Sequence, residues 1–116
     1  MFDLKVALYV NRSCAFKLQL FYDDEDVEHL GLPSKWITVA DVVANVYAPD
    51  GSPVIDSLAV PYVADSEGFY YGKEMPDPAA QYGKTYDVVV IVTKDGIPEE
   101  IRVQVTAEYY KGKDTP

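Results

Sequence analysis

TYDVVVIVTKDGIPEEIRVQVTAEY, residues 85–109, is the stretch that decides the fold. Its apolar residues recur at every second position, the period that sends successive side chains to opposite faces of a strand. Tyr86, Val88, Val90 and Val92 share one face. Val89 and Ile91 make the other face apolar as well, so a strand from Thr85 to Thr93 covered on both sides is expected. Lys94-Asp95-Gly96 ends it. Asp-Gly suits a two-residue hairpin turn because both central positions take positive φ. From Glu100 to Tyr109 the chain returns, with Ile101, Val103, Val105 and Ala107 alternating against Arg102, Gln104 and Thr106. This hairpin is expected at the centre of a β core.

The same period runs upstream. Lys5 to Val10 alternates, and Cys14 to Tyr22 does so cleanly, with Phe16, Leu18, Leu20 and Tyr22 facing one way. The acidic run Asp23 to Asp26 breaks that pattern, and the stretch to Lys35 reads as a loop with at most a helical turn around Val27 to Leu30. Ile37 to Ala48 is the next expected strand, with Val42, Ala44 and Val46 on one face. Pro49-Asp50-Gly51-Ser52 is a turn, since Pro fits its second position and Gly accepts positive φ. Val54 to Val63 reads as one strand or two, interrupted near Pro61, because proline cannot donate to a ladder. Phe69-Tyr70-Tyr71 is a short aromatic strand, and Lys73 to Gln81, with Pro76 and Pro78, an extended loop. About seven short strands without a useful amphipathic helix make an all-β sandwich or barrel. The expected core holds Phe16, Leu18, Leu20, Val42, Ala44, Val46, Tyr86, Val88, Val90, Ile101, Val103 and Val105. The chain is expected to be a single domain over residues 1–116, with a polar, frayed C-terminal tail at 111–116.

Charge and composition restrict the function. A chain of 116 residues is one domain's worth of core. Ten basic against 19 acidic side chains give a net charge of −9. A surface of that sign repels phosphate backbones, so nucleic acid is not an expected partner. No stretch approaches the roughly 20 apolar residues of a membrane span, and neither a membrane partner nor a secretory leader is expected. One Cys and one His leave no intrachain disulfide and no metal site built on Cys or His pairs.

No catalytic constellation stands out, and the chain is read as non-enzymatic, with no cofactor. Cys14 lies on or beside an apolar strand face, where a thiol is inert packing. His29 follows the acidic run in a loop and reads as solvated. Asp23 to Glu28 is the stretch with oxygens enough to suggest Ca²⁺, with Asp65-Ser66-Glu67 as a second acidic turn. Its spacing does not match an EF-hand loop, and the plainer reading is a solvated segment that discourages edge pairing. No metal ligand is assigned. Ten tyrosines carry more information. Tyr22 and Tyr86 are expected in the core, whereas Tyr47, Tyr71, Tyr109 and Tyr110 are harder to bury. Tyrosine suits protein interfaces because it joins a large apolar area to a polar tip. Phe2, Tyr47, Tyr71, Met75, Tyr109 and Tyr110 are therefore the candidate partner-binding residues: Phe2 on the N-terminal strand, Met75 in the 73–81 loop, Tyr109 and Tyr110 at the C-terminal end, and Tyr47 and Tyr71 on their own strands. Trp36 reads as core packing or as an interface anchor.

The segment from Ala40 to Ala107 carries an ordered set of signals: strand, Pro49-Asp50-Gly51 turn, strand, Gly68-Phe-Tyr-Tyr strand, Gly83-Lys-Thr-Tyr86 strand, Asp95-Gly96 hairpin. It resembles small immunoglobulin-like β-sandwich domains of tailed-phage virion proteins, found in baseplate, tail, neck or head-tail connector, and head-accessory positions. Phe16 to Asp24 resembles the opening strand of a related pattern. The resemblance implies an immunoglobulin-like antiparallel β-sandwich in which Tyr86 locks the Gly83 corner with its hydroxyl. It also implies a structural role: a virion component, assembled in the host cytoplasm, whose partners are other virion proteins and copies of itself in an oligomer or ring. The alternative is a ligand-binding module for carbohydrate or cell-surface material, using Trp36, Tyr70, Tyr71 and the acidic loop.

Overall fold

A computed structural model describes residues 1–110; the expectation for the 111–116 tail falls outside that range. Seven strands and one short helix follow in the order β1 (Phe2–Ala7), β2 (Cys14–Leu20), α1 (Asp24–Leu30), β3 (Asp41–Tyr47), β4 (Pro53–Ala59), β5 (Phe69–Glu74), β6 (Thr85–Lys94) and β7 (Ile97–Thr106). They form two antiparallel sheets, β1-β2-β5 and β4-β3-β6-β7. This is the all-β sandwich that the alternation leaves beside a barrel, in the immunoglobulin-like antiparallel form that the resemblance implies.

The decisive hairpin behaves as its sequence demands. β6 and β7 pair from Thr85↔Thr106 to Lys94↔Ile97 without a register shift. Asp95 and Gly96 turn the chain with φ of 54° and 77°, the left-handed pair that a two-residue turn requires. Before β6, Gly83 takes φ 78°, and the Tyr86 hydroxyl accepts a hydrogen bond from the Gln81 backbone N–H at 2.8 Å. The Tyr86 ring lies in the core while its hydroxyl ties down the 81–84 corner.

Two segments change sheets, and both close the sandwich. Residues 2–7 pair with β2, then Tyr9 forms a parallel bridge with Glu108 beyond β7. Val10 N–H donates to the Glu108 carbonyl at 2.9 Å, and Glu108 N–H to the Leu8 carbonyl at 3.3 Å. The expected Lys5–Val10 strand is therefore a strand that begins at Phe2 and crosses over at Leu8. In the same way β4 pairs with β3, whereas Tyr71 N–H donates to the Pro61 carbonyl and Val63 N–H to the Phe69 carbonyl, so residues 61–63 lie beside β5. The break read at Pro61 is this crossing. Gly72 faces it: an added Cβ would stand 2.9 Å from the Ala59 carbonyl oxygen and 3.3 Å from Val60 Cα. β4 also bulges at Ser57, whose φ is 55° and whose N–H donates to the buried Asn45 Oδ1 at 2.8 Å.

The core matches the alternation with identifiable departures. Phe16, Leu18, Leu20, Val42, Ala44, Val46, Tyr86, Val88, Val90 and Ile101 are buried as expected. Val103 and Val105 are only half-buried, because β7 is the outermost strand of its sheet and has a neighbour on one side. Tyr22 is half-buried rather than core, because β2 ends at Leu20 and the chain leaves the sheet before Tyr22 can face inward. Among the described residues no third layer covers the outer face of β6; Val89 is buried there between Asn45 and Arg102, its partners in register. Ile37 to Ala40 precedes β3 rather than belonging to it. The loop read between Asp23 and Lys35 contains α1, which stops at Gly31 in the left-handed conformation, φ 63°. None of its residues is buried, so the helix sits on the sandwich without adding to its core.

Candidate functional site

The candidate residues fall in separate places, and two of them come together. Tyr109 and Tyr110 follow β7 where three segments meet. Ala107 N–H donates to the Lys84 carbonyl and Gly83 N–H to the Ala107 carbonyl, both at 2.9 Å, so the 81–84 corner is stitched to the end of β7. On the other side Glu108 holds the crossover at residues 8–10. Tyr82 comes from the corner, and Tyr9 and Arg12 come from the crossover and the turn after it. The Tyr82 and Tyr109 rings stack with centroids 4.7 Å apart at 20°. Tyr110 meets Tyr9 edge-on at 5.3 Å, and the Arg12 guanidinium carbon sits 3.7 Å from its ring centroid. Tyr82, Tyr109 and Tyr110 remain 61%, 60% and 46% exposed. Four aromatic rings and a guanidinium thus form one surface at this end, with apolar area, polar tips and a stacked cation, a composition enriched at protein interfaces. The sequence alone does not single out Tyr9, Arg12 or Tyr82. The available signal for Tyr82 was its place directly before the Gly83 corner.

Phe2 lies at the opposite end, in a cleft of about 320 Å³. The cleft follows from the topology. Among the described residues, β1 and β7 are joined near residues 8–10 and Glu108 and not at their other ends, where the sheets stay unzipped. Phe2, Leu20, Ile37, Val92, Ile97 and Ile101 line it, with Asp26, Lys94, Asp95 and Glu99 among its polar groups. The Lys94 ammonium lies 5.0 Å from the Tyr22 ring centroid and 2.9 Å from the Asp95 carboxylate. The Tyr22 hydroxyl first, and Asp95 second, favour its charged form and raise its pKa above the usual lysine range.

The remaining candidates stand apart. Tyr47 ends β3 on the outer face of the four-stranded sheet, opposite Asp87. Tyr71 lies on the outer face of the three-stranded sheet, opposite Lys17, and Met75 is exposed just beyond β5. Tyr70, named for the ligand-module alternative, is wholly buried and donates its hydroxyl to the Ile37 carbonyl at 3.0 Å, so it cannot meet a ligand. Its neighbours on β5 point outward, as strand alternation requires. Trp36 is half-buried, edge-on to Phe21 at 6.3 Å.

Cys14 is wholly buried, and burial alone pushes its thiol up to about 12, so it is protonated and shielded. The acidic run supplies Asp23 as the N-cap residue of α1 and Asp24, Glu25 and Asp26 as its first turn. Carboxylates are favourable there because the unpaired N–H groups of a helix start carry partial positive charge. Among the described residues, no three His, Cys, Asp or Glu side chains are gathered as a metal-binding group.

Fold and surface together define an immunoglobulin-like sandwich with an exposed aromatic end and an apolar cleft at the other. No family model matches the chain, and no curated protein does. Among solved structures it is similar to two crystal structures of Parabacteroides merdae β-glucuronidase, one with glycerol in the active site. The TM-scores are 0.51 and 0.50, at 18% identity over 92% and 91% of this chain. The chain spans 13% of the length of those enzymes. At that identity the likeness is one of fold: a sandwich of this kind there forms a small part of a much larger chain.

Proposed function

We propose that this chain is a non-enzymatic structural protein that acts by docking onto other proteins, as a component of a tailed-phage virion in its tail, neck or head-tail connector, or head-accessory layer. The observation that carries the docking role is the surface of Tyr9, Arg12, Tyr82, Tyr109 and Tyr110. Stacking and backbone hydrogen bonds already hold these side chains in place, so little conformational entropy remains to be lost when a partner covers them. The virion assignment draws on the resemblance of the Ala40–Ala107 pattern. In that setting the chain assembles in the host cytoplasm and joins other virion proteins and copies of itself.

The test is co-expression with the proteins encoded beside it, followed by chromatography with light scattering. The wild type is expected in a peak of defined, higher mass. A variant carrying Tyr82→Ser, Tyr109→Ser and Tyr110→Ser is expected to elute free, near the mass of one chain, which is 12.9 kDa for the wild type. A wild type that elutes free from every co-expression and enters no particle overturns the proposal.

A second reading, a module for carbohydrate or cell-surface material, draws on the same Tyr82–Tyr109 stack, which leaves ring surface open to solvent. A glycan screen separates the two: a ligand whose binding is lost in the same variant favours the module, and a blank at millimolar glycan removes it.

A further inference from the structure

The outer face of the β1-β2-β5 sheet carries a charge opposite to that of the chain as a whole. The register sets Lys5 opposite Lys17, and Lys17 opposite Tyr71. The next row on one side is Asp3, Gln19 and Phe69; on the other it is Ala7, Ala15 and Lys73. Inward-facing Phe16, Leu18 and Tyr70 are buried between these positions, which fixes the lysines and Tyr71 on the outside. Three of the chain's ten basic residues thus share nine positions with one carboxylate, in a protein of net charge −9. Like charges directly opposite across two strands repel and weaken the pairing. The fold gains nothing from Lys5 beside Lys17. Among the described residues the ion pairs are Lys94–Asp95 and Arg102–Glu100, so these lysines have no carboxylate partner there. Lys17 Nζ instead lies 4.8 Å from the Phe69 ring centroid.

The complementary surface is on the same chain. Asp23, Asp24, Glu25, Asp26 and Glu28 are all exposed along α1. We infer that the outer face of β1-β2-β5 docks the acidic α1 segment of a second copy of this chain, head to tail. The inference rests on the assembly reading above and names one partner for it. The two patches are different surfaces, so the contact is heterologous. Repeated, it closes into a ring or runs into a filament. Whole chains of like net charge repel, but beyond a Debye length of roughly 8–10 Å at 0.1–0.15 M salt that repulsion is screened. The local lysine–carboxylate contact acts inside that distance.

Charge exchange tests this directly. One variant carries Lys5→Glu and Lys17→Glu, the other Asp24→Lys and Glu25→Lys. All four positions are exposed, and thermal melts check that both variants keep the wild-type fold. Light scattering across a concentration series at about 0.1 M salt should show self-association of the wild type. It should show at least about tenfold weaker self-association for either variant alone, and regained association in their equimolar mixture. A wild type that stays monomeric to millimolar concentration overturns the inference, as do variants that associate like the wild type or a mixture that stays monomeric. If Lys5→Glu/Lys17→Glu still enters the co-expressed assembly while the wild type alone is monomeric, this contact fails and the assembly reading stands.

Discussion

Replacing Tyr86 with Phe removes one hydroxyl from one corner, so it measures how much the 81–84 corner contributes to the sandwich. The ring is 3% exposed, and its packing against the core is kept. What is lost is the 2.8 Å hydrogen bond from the Gln81 N–H. A neutral hydrogen bond contributes about 0.5–1.5 kcal/mol net, and a donor left buried without a partner costs about 1–3 kcal/mol. Gln81 itself is exposed, so water can reach part of the vacated N–H, which places the expected cost near 1–1.5 kcal/mol. For a domain of this size that is a fall in Tm of about 4–8 °C. Urea unfolding followed by tryptophan fluorescence reads it, since Trp36 packs against Phe21 and is the chain's single tryptophan. The midpoint should fall with the slope unchanged, because a corner hydrogen bond alters stability and not the surface exposed on unfolding. Tyr86→Ala also removes the ring and should cost about 3–5 kcal/mol. A Phe variant within about 0.3 kcal/mol of wild type, with Tyr86→Ala far lower, would show that only the ring matters and refute the locked corner.

Other expectations follow from single observations. Cys14 ionises in the unfolded chain near its ordinary value of 9 but in the native state only near 12, so the native state holds the extra proton between them. Stability is therefore unaffected below about pH 9 and falls as pH rises toward 12, at up to about 1.4 kcal/mol per pH unit; Cys14→Val should flatten that slope in urea titrations. The same burial predicts that a thiol reagent labels Cys14 at the rate of unfolding rather than at the rate of a free thiol. Gly72→Ala drives a Cβ against the backbone of the β4 crossing and should cost about 1–3 kcal/mol in the same unfolding assay; a neutral result would mean that residues 59–60 give way freely. Asn45→Ala leaves the Ser57 N–H without its side-chain acceptor; Ser57 is exposed, as Gln81 is, so the expected cost is again about 1–1.5 kcal/mol, checked by thermal melts.

The sequence was most legible where local chemistry and topology agree. Apolar residues at every second position of both arms between Thr85 and Thr106, Asp95-Gly96 at the turn and Gly83 before Tyr86 all point to the same local structure, and the hairpin and its corner are that structure. α1 was harder to see. Its seven residues bury no side chain, so there is no apolar stripe at helical period to read, only an acidic start and Gly31 at its end. Tyr22 continues the alternation of β2 on paper, but alternation does not report where a strand stops. For Tyr70 the signal was present: in Phe69-Tyr70-Tyr71 a strand must turn the middle ring away from its neighbours. The aromatic end was half legible. Tyr109 and Tyr110 stood out as surplus, whereas Tyr9, Arg12 and Tyr82 join them only because the first strand crosses to Glu108 and the Gly83 corner folds onto Ala107, contacts between residues far apart in the chain. The Lys5–Lys17 pairing depends likewise on register, which alternation alone does not set.

The most direct test of docking through the aromatic end is amide hydrogen exchange on the chain, free and within its co-expressed assembly. Docking through this end gives new protection at residues 8–12, 81–84 and 107–110 on assembly, the segments that carry Tyr9, Arg12, Tyr82, Tyr109 and Tyr110. An assembly that forms while exchange in all three segments stays at its free rate would contradict it.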